Sequence, residues 1–271
     1  MILLNAWYVA CTPAEIDDKP LGRTLCKQPI VFYRAGDGTV AALDDFCPHR
    51  SAPLSLGRVI EGKLVCGYHG LEMGCDGKTI AMPGQRVRAF PAIRSYPVVE
   101  RHGFVWVWPG EAALADPAAI PACAWADSPD GAYGGGLFHI GCDYRLMVDN
   151  LMDLSHETCV HATSIGQKEI DETPITPETE TSIWYFWGMA RNFNARDKAL
   201  TASIREGQAK IFSEDLEMLE RQQRNLLAWP EPKLLSLNID AGGVRARRAI
   251  KRLHAAEQAG IAGTGGHAAA P

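Results

Sequence analysis

The sequence DNLMDLSHETCVH, residues 149–161, contains two histidines, His156 and His161, with acidic residues upstream and between them. Neutral imidazole binds iron, zinc or copper well, and two histidines with one carboxylate leave positions open on an iron for oxygen. Residues five apart on an α-helix are rotated by about 140° from each other, so both rings reach one ion only if the helix ends or bulges between them. Taken alone, the stretch also fits two ordinary histidines of an amphipathic helix, and a short motif needs support from elsewhere in the chain.

The composition is that of an ordinary globular protein. The chain has 271 residues, enough for two domains with their own cores, and it is 46% hydrophobic and 22% charged. A net charge of −5 gives no electrostatic reason to expect nucleic acid or an anionic membrane as a partner. No apolar run has the length of a membrane span, and residues 1–11 lack the basic region of a secretory signal. We therefore expect a cytoplasmic protein, in which eight scattered cysteines favour metal binding over disulfides.

The first half of the chain is predicted to be rich in β-strands. Residues 29–34 (PIVFYR) and 39–43 (TVAAL) are short β-prone runs joined by Gly-Asp-Gly, residues 36–38, which is a hairpin signal. Residues 104–108 (FVWVW) predict a further strand that stops at Pro-Gly. His102, next to a glycine, is predicted to be a turn residue before that strand and not a ligand.

Two segments of this half each combine a cysteine with a histidine. Cys47 and His49 are spaced Cys-x-His, and Cys66 and His69 are spaced Cys-x-x-His. A tetrahedral zinc site can take these four ligands, whereas a Rieske [2Fe–2S] centre takes two Cys on one iron and two His on the other. Zinc fingers typically pair Cys with Cys and His with His. Here each segment contains one cysteine and one histidine. This arrangement favours a cluster in which each segment supplies one ligand to each of the two irons.

The two segments, CPHR at residues 47–50 and CGYHG at residues 66–70, resemble the Rieske motif. Residues 81–84 (AMPG) fall where Rieske domains carry a covering proline loop. The resemblance implies a Rieske [2Fe–2S] cluster held by Cys47, His49, Cys66 and His69. The remaining cysteines have no partner pattern and are predicted to be buried small hydrophobic residues; they are Cys11, Cys26, Cys75, Cys123, Cys142 and Cys159.

The second half of the chain resembles the catalytic domain of Rieske non-haem iron oxygenases. In that family a mononuclear iron is held by two His and one Asp, and a segment (Asp/Glu)-Asn…Asp-x-x-His-x4-His introduces it. The matching positions are Asp149, Asn150, Asp153, His156 and His161. The resemblance therefore implies that His156 and His161 are iron ligands and that Asn150 and Asp153 have catalytic roles.

The third iron ligand is expected on a later helix, predicted for residues 212–229. Ser213 is a candidate N-cap, and leucines recur on one face of this segment. Asp215 resembles the family's carboxylate ligand. The alternative candidates are Glu214 and Glu217, which also fit as ordinary first-turn acids that suit the helix dipole.

Asp153 is expected to have a different role. It lies three residues before His156, so the two are expected to share a helix face. In the family the equivalent Asp links a histidine of the iron site to a Rieske histidine of a neighbouring subunit, here His69 in preference to His49. Such a carboxylate fixes the tautomers of both imidazoles. The resemblance thus implies a homotrimer.

The resemblance covers residues 5–258 and is strongest with the oxygenase components of vanillate O-demethylases, on residues 150–174 and 181–193. It implies an α+β chain: an N-terminal Rieske β-sandwich domain (1–110), a connection (111–136) and a helix-grip (START-like) catalytic domain (137–259). A disordered tail (260–271) is expected. The catalytic domain is expected to begin with a strand at residues 137–146 that contains His139 and to continue as a helix from near Met147.

The implied activity is that of the oxygenase component of a two-component monooxygenase. It would O-demethylate a methoxylated aromatic acid, vanillate first, to protocatechuate and formaldehyde. No GxGxxG or flavin-binding pattern occurs, so electrons would come from an NAD(P)H-dependent ferredoxin-type reductase, with O2 as co-substrate. The alternatives are another aromatic substrate or an electron-carrier remnant without catalysis.

One departure from the family concerns the substrate pocket. Near residues 174–176 the vanillate enzymes carry a long additional run, including strands of the pocket sheet, whereas here the flanking segments are joined directly. The metal ligands all survive, but part of the pocket wall is expected to be missing. Further on, residues 242–259 predict a basic helix, either a solvated face or a docking patch for an acidic redox partner.

Overall fold

The computed structural model describes residues 1–87, 90–123, 131–153, 174–191, 193–229, 234–235 and 237–260. The chain divides into two compact units, Leu4–Pro121 and a second that joins Met1–Leu3 to Ala122–Pro271. In the described residues the first unit contains strands and short 3-10 turns, and the second combines three α-helices with a sheet. The predicted α+β class is confirmed.

The strands of the first unit pair as three antiparallel sheets, with strand orders β1-β10-β9, β2-β3-β4 and β5-β6-β7-β8. Their bounds are β1 (Tyr8–Cys11), β2 (Leu21–Leu25), β3 (Gln28–Arg34), β4 (Val40–Asp44), β5 (Arg58–Ile60), β6 (Lys63–Val65), β7 (Glu72–Met73), β8 (Thr79–Ala81), β9 (Val98–Arg101) and β10 (Phe104–Val107).

The predicted hairpin and the predicted later strand are both present. β3 and β4 pair with Val31 opposite Leu43, and the turn between them closes with Ala35 N–H donating to the Thr39 carbonyl at 2.8 Å. The run predicted at 104–108 forms β10, all of whose residues are buried. His102 has φ +56° and lies in the turn between β9 and β10, as predicted.

The core of the first unit includes two of the predicted metal ligands. Side chains of β3, β4, β6 and β7 meet in one cluster that contains Tyr33, Leu43, Leu64 and Met73. Cys47 and Cys66 belong to the same cluster, at 2% and 1% exposure. Because the core fixes both cysteines, the strands that build it also place the two ligand loops.

In the second unit one helix packs against a three-stranded antiparallel sheet of order β11-β13-β12. The bounds are β11 (Ala132–Ile140), α1 (Tyr144–Met152), β12 (Ile175–Pro177), β13 (Ile183–Arg191), α2 (Lys198–Ala228) and α3 (Ala241–Gln258). The core lies between α2 and the sheet, where Phe212 and Leu219 meet Tyr185 and Trp187.

The predicted start of the catalytic domain needs correction. The strand runs over Ala132–Ile140 and not over 137–146, so residues 132–136 of the predicted connection belong to it. Helix α1 begins at Tyr144, before Met147, because the Asp143 carboxylate accepts a hydrogen bond from Arg145 N–H at 2.8 Å and caps the helix. His139 lies on β11, as expected, and the centroid of its ring is 4.5 Å from that of Trp184.

The helix predicted at 212–229 is longer and begins at Lys198. Its N-cap is Asp197, which accepts from Leu200 N–H at 2.9 Å, whereas the Ser213 hydroxyl donates to the Lys210 carbonyl inside the helix. The assignment of Ser213 as N-cap is therefore wrong. Asp215 and its acidic neighbours lie in mid-helix, so the helix dipole does not explain them.

Two smaller expectations can be compared directly. The basic helix predicted at 242–259 is α3, Ala241–Gln258. The seven described cysteines are buried except Cys75, which is exposed, so the burial predicted for Cys75 is wrong. Cys159 and the tail from residue 261 lie outside the described residues.

Candidate functional site

The two loops that carry the Cys-His pairs close with the same hydrogen bonds. Cys47 N–H donates to the Ala52 carbonyl, and Cys66 N–H donates to the Leu71 carbonyl, each at 2.8 Å. In each loop the fourth residue after the cysteine donates its N–H back to the cysteine carbonyl, and it has positive φ, +53° at Ser51 and +73° at Gly70. The two segments are thus two copies of one turn.

The cysteine sulfurs of these turns lie together in the core. The Cys47 and Cys66 side chains are in hydrogen-bonding contact, and burial raises the pKa of the Cys47 thiol. Backbone N–H groups of His49 and Arg50 point at the Cys47 sulfur, and Tyr68 N–H donates to Cys66 Sγ at 3.5 Å. Sulfurs surrounded by N–H donors fit an iron–sulfur cluster, whose potential depends on such bonds.

The two histidines lie on the outer side of the same loops. The rings of His49 and His69 are 4.6 Å apart between centroids, and both residues are exposed. Two buried thiols and two adjacent exposed imidazoles form a set in which one iron would lie inside and the other at the surface. The structure thus brings together the four residues that the sequence predicted as ligands.

The predicted proline loop covers one of these turns. A Cβ atom at Gly70 would lie 3.0 Å from Pro83 Cγ, so the proline ring rests on the glycine that follows His69. Positive φ and this close contact both require glycine at position 70. Met82 packs against the core that contains the two cysteines.

In the second unit, the predicted carboxylate ligand is buried on α2. Asp215 is 4% exposed and lies on the same helix stripe as Phe212 and Leu219. Asn150 Nδ2–H of α1 donates to Asp215 Oδ1 at 3.2 Å. A neutral amide orients the carboxylate without neutralising its charge, and a buried carboxylate is usually paired or bound to a metal. Glu217, by contrast, forms an exposed pair with Arg221.

The other predicted residues of this site are only partly described. His156 and His161 lie outside the described residues. Helix α1 ends at Met152, and Asp153 follows it with extended backbone angles, φ −120° and ψ 95°. Asp153 therefore lies outside α1, and His156, with which it was expected to share a helix face, is not among the described residues. Within the described ranges no three His, Cys, Asp or Glu side chains converge on one point. This does not conflict with a Rieske centre, because each of its irons takes only two protein ligands.

A contact that sequence reasoning missed anchors α3 to α1. Arg247 Nε donates to Asp149 Oδ1 at 2.8 Å, and a second guanidinium nitrogen contacts the other carboxylate oxygen. A Cβ atom at Gly243 would lie 2.7 Å from the Asp149 carboxylate, so glycine permits the close approach. The Gly-Gly pair at the start of α3 was the available signal. The contact thereby holds Asp149, which directly precedes Asn150.

Comparison with known proteins gives the family of both parts of the chain. Residues 6–97 match the Rieske [2Fe-2S] domain family, and residues 140–175 and 171–256 match the vanillate O-demethylase oxygenase C-terminal domain family. The chain is 54% identical to the vanillate O-demethylase oxygenase subunit of Pseudomonas sp. (strain HR199 / DSM 7063), over 94% of this chain and 95% of that one. The chain belongs to the Rieske non-haem iron oxygenases.

Two further relatives place the chain within this family. The dicamba O-demethylase oxygenase component of Stenotrophomonas maltophilia is 36% identical over 94% of this chain and 98% of its own. The crystal structure of dicamba monooxygenase bound to dicamba superposes with a TM-score of 0.87 at 34% identity, covering 95% of this chain and 99% of that one. The predicted Rieske and helix-grip architecture is confirmed, as is the prediction of a Rieske non-haem iron monooxygenase.

The family carries a Rieske [2Fe–2S] cluster and a mononuclear iron, and one of the solved dicamba monooxygenase structures contains non-haem iron. The paired thiols and imidazoles of the first unit fit the cluster, and the buried Asp215 carboxylate fits one side of an iron site. As the oxygenase component of a two-component system, the chain works with a reductase and O2. None of the described helices is long and apolar enough to span a membrane.

The comparisons also locate the missing run. The alignment with the Pseudomonas subunit extends over 337 positions, more than the 271 residues of this chain. The C-terminal domain family matches in two pieces that meet at residues 171–175. The relatives therefore carry residues that this chain lacks at that point, just before the short strand β12.

Proposed function

We propose that this oxygenase O-demethylates a methoxylated aromatic acid, with vanillate converted to protocatechuate and formaldehyde. The observation that supports this most strongly is the 54% identity to a vanillate O-demethylase oxygenase subunit over nearly the whole chain. A second Pseudomonas subunit of that description is 52% identical. The chemistry consumes one O2, two electrons and two protons. The methyl carbon gains a hydroxyl, and the resulting hemiacetal breaks its C–O bond to release formaldehyde and the phenol, while the second oxygen atom leaves as water.

We assign the ligands from the sequence pattern and the geometry together. Cys47, His49, Cys66 and His69 would hold the cluster, and His156, His161 and Asp215 would hold the mononuclear iron. When bound, the cluster supplies electrons one at a time and the iron supplies the centre at which O2 reacts. The reductase would be an NAD(P)H-dependent ferredoxin-type protein, and the site of action the cytoplasm.

The chain's own residues prepare the iron site. Burial of Asp215 excludes water from the carboxylate, and the hydrogen bond from Asn150 fixes one of its oxygens. Asn150 is in turn held by α1, whose end is tied to α3 through Asp149 and Arg247. These contacts fix the orientation of the Asp215 carboxylate and leave its charge intact.

Asp153 is proposed as the link between the two kinds of site. Its position directly after α1 leaves it outside the helix, where its carboxylate can accept an N–H from His69 of a second copy in a homotrimer. Changing Asp153→Asn should leave both metals bound yet slow the transfer of electrons to the iron site severely, as single-turnover kinetics measures. A normal single-turnover rate in this variant would contradict the link.

The test of the function is product analysis with the complete system. Purified oxygenase, a ferredoxin-type reductase, NADH and vanillate should yield protocatechuate and formaldehyde in equal amounts, each in proportion to the O2 consumed. Ring-hydroxylated vanillate without formaldehyde would show a Rieske oxygenase of different regiochemistry and would reject the proposed reaction.

A second candidate is demethylation or oxidation of another aromatic compound. The observation that favours it is the missing run: the relatives carry residues there that this chain lacks, and the sequence resemblance implies that this run includes strands of the pocket sheet. Relatives at about the same coverage are described as acting on dicamba and on toluene-4-sulfonate. A substrate panel of methoxybenzoates, dicamba and toluene-4-sulfonate separates these reactions by product.

The third candidate is an electron carrier without catalysis. It is favoured by the small sheet of the second unit, which has three strands in the described residues. Iron analysis decides this case, since a remnant would retain the two irons of the cluster and lack the third. EPR of the anaerobically reduced protein would still show the Rieske signal.

A further inference from the structure

The buried face of α2 carries three polar side chains among its apolar ones. They are Gln208, Asp215 and Gln223, each less than one-tenth exposed. Two of them have visible partners: Asn150 donates to Asp215, and Gln223 Oε1 accepts from Asp143 N–H at 2.8 Å. Gln208 Oε1 is buried and has no hydrogen-bond partner in the part of the chain that the structure describes.

The sheet that faces this helix carries a second such atom. Trp187 of β13 is 2% exposed, and among the described residues its indole Nε1 has no acceptor. The indole lies over Gly136, where a Cβ atom would come within 2.8 Å of Nε1. The centroid of its ring lies 5.5 Å from that of Phe212. Phe212 follows Gln208 by one helical turn. The indole therefore lies beside a residue that is one helical turn, about 5.4 Å along the axis, from Gln208 in the interface between helix and sheet.

Two buried polar groups in one interface, both without a hydrogen-bond partner in the described ranges, require an explanation. Nearly all buried donors and acceptors in native proteins are paired, and exceptions often mark a place that a ligand or water completes. The indole N–H can only donate, whereas an amide can turn to present either its oxygen or its N–H groups. Together they suit an oxygen substituent of a bound molecule.

The distance to the proposed iron ligand limits what that molecule can be. Gln208 and Asp215 are seven residues apart on one helix face, a rise of about 10.5 Å. Phe212 lies between them, with Tyr185 against it at 5.3 Å between ring centroids. A single aromatic ring lying beside Phe212 can extend a substituent toward each end of this span.

We propose that Trp187 Nε1 and the Gln208 amide bind the carboxylate of the methoxybenzoate substrate and thereby direct its methoxy group toward Asp215. The inference rests on the proposed function, since it names the residues that orient the substrate of that reaction. Each N–H donates to a carboxylate oxygen, and the apolar rings between the two ends hold the benzene ring.

The test compares two variants that remove one polar group each and keep the packing. Gln208→Met preserves length and helix propensity, and Trp187→Phe preserves an aromatic ring. The matched control is Gln223→Met, which lies on the same face but loses a hydrogen bond within the protein. Binding of vanillate and of 2-methoxyphenol, which lacks the carboxylate, is measured by calorimetry on the iron-loaded protein without O2, and thermal unfolding is measured without ligand.

Loss of a hydrogen bond to a charged group should weaken vanillate binding by about tenfold to a hundredfold in Gln208→Met and Trp187→Phe. Binding of 2-methoxyphenol should be unchanged, and unfolding without ligand should be unchanged or shifted to higher temperature, since an unpaired buried group has been removed. Gln223→Met should unfold at lower temperature and keep the wild-type preference for vanillate.

The outcomes separate this inference from the function on which it rests. If the wild type demethylates vanillate and both variants bind it normally, the proposed function stands and the inference is overturned. Equal losses for vanillate and 2-methoxyphenol, or variants that only destabilise the fold, also overturn it. If the wild type neither binds nor demethylates vanillate, the proposed function fails and the inference fails with it.

Discussion

The two candidate metal sites differ in how the chain builds them. In the first unit, all four residues come from two turns with the same hydrogen-bond pattern, at positions 47–52 and 66–71, so each turn carries its ligands within four residues. In the second unit, Asn150 and Asp215 are 65 positions apart and meet only because α1 and α2 pack together. A site formed by local turns can be recognised from short motifs, whereas one formed by packed helices depends on the fold around it.

The largest expected effect is on the local site. Changing Cys47→Ser should abolish the visible and EPR signals of the Rieske cluster and with them all product formation, because a thiolate ligand of one iron is lost. Cys75→Ser, which alters the exposed cysteine of the same unit, is the control and should leave both signals intact. A full Rieske spectrum in Cys47→Ser would refute the assignment.

The next effect separates the two sites. Asp215→Asn keeps the shape of the side chain but removes its charge, so the protein should lose its mononuclear iron and its turnover while the cluster remains. Metal analysis tests the loss of the mononuclear iron, and EPR of the reduced protein tests whether the cluster remains. Glu217→Gln, on the exposed face of the same helix, should behave as wild type. Loss of the cluster along with the iron would show that the sites are not independent.

A smaller effect is expected from the residue that orients the ligand. Asn150→Ala removes the N–H that donates to Asp215, and loss of such an outer contact typically lowers metal affinity by about tenfold to a hundredfold. Iron titration of the apoprotein measures this directly. Asn225→Ala, an exposed position on α2, serves as control. Unchanged affinity in Asn150→Ala would remove Asn150 from the site.

The smallest effect concerns the start of α1. Burial acts to raise the pKa of Asp143, but hydrogen bonds from Arg145 outweigh it, so the pKa is lowered. Asp143→Ala removes the helix cap and should cost about 1–2 kcal/mol in the free energy of unfolding. Because the pKa is lower in the folded state, this stabilisation is present at neutral pH and is lost as the pH falls through the lowered pKa.

Denaturant unfolding of the wild type and Asp143→Ala at neutral pH and in acid checks that prediction. The difference between the two proteins should shrink toward low pH. A constant difference across the range would mean that the carboxylate charge does not matter and that the alanine acts through packing alone.

The sequence predicted the hairpin of β3 and β4 and the two Cys-His turns because their signals are local. It misplaced Ser213 as a helix cap because a hydroxyl can bond equally well to a carbonyl within a helix. It also placed Asp215 in a first turn, since nothing near that residue shows that the helix had already begun at Lys198. The position of Asp153 directly after α1 was equally hard to foresee, because the end of this helix carries no glycine or proline.

The sequence by itself determined the α+β class and brought out the four residues of the Cys-His turns, whereas the preference for Asp215 over its acidic neighbours came from the resemblance to the family and stays a prediction. For the turns, spacing and residue type were sufficient, because a turn of a few residues carries its own hydrogen bonds. Only the tertiary structure decided that Asn150 orients Asp215, that Arg247 holds Asp149, and that Gln208 and Trp187 each bury, in one interface, a polar atom with no hydrogen-bond partner among the described residues. These are contacts between distant segments, and burial of the helix and sheet faces, not local pattern, brings them together.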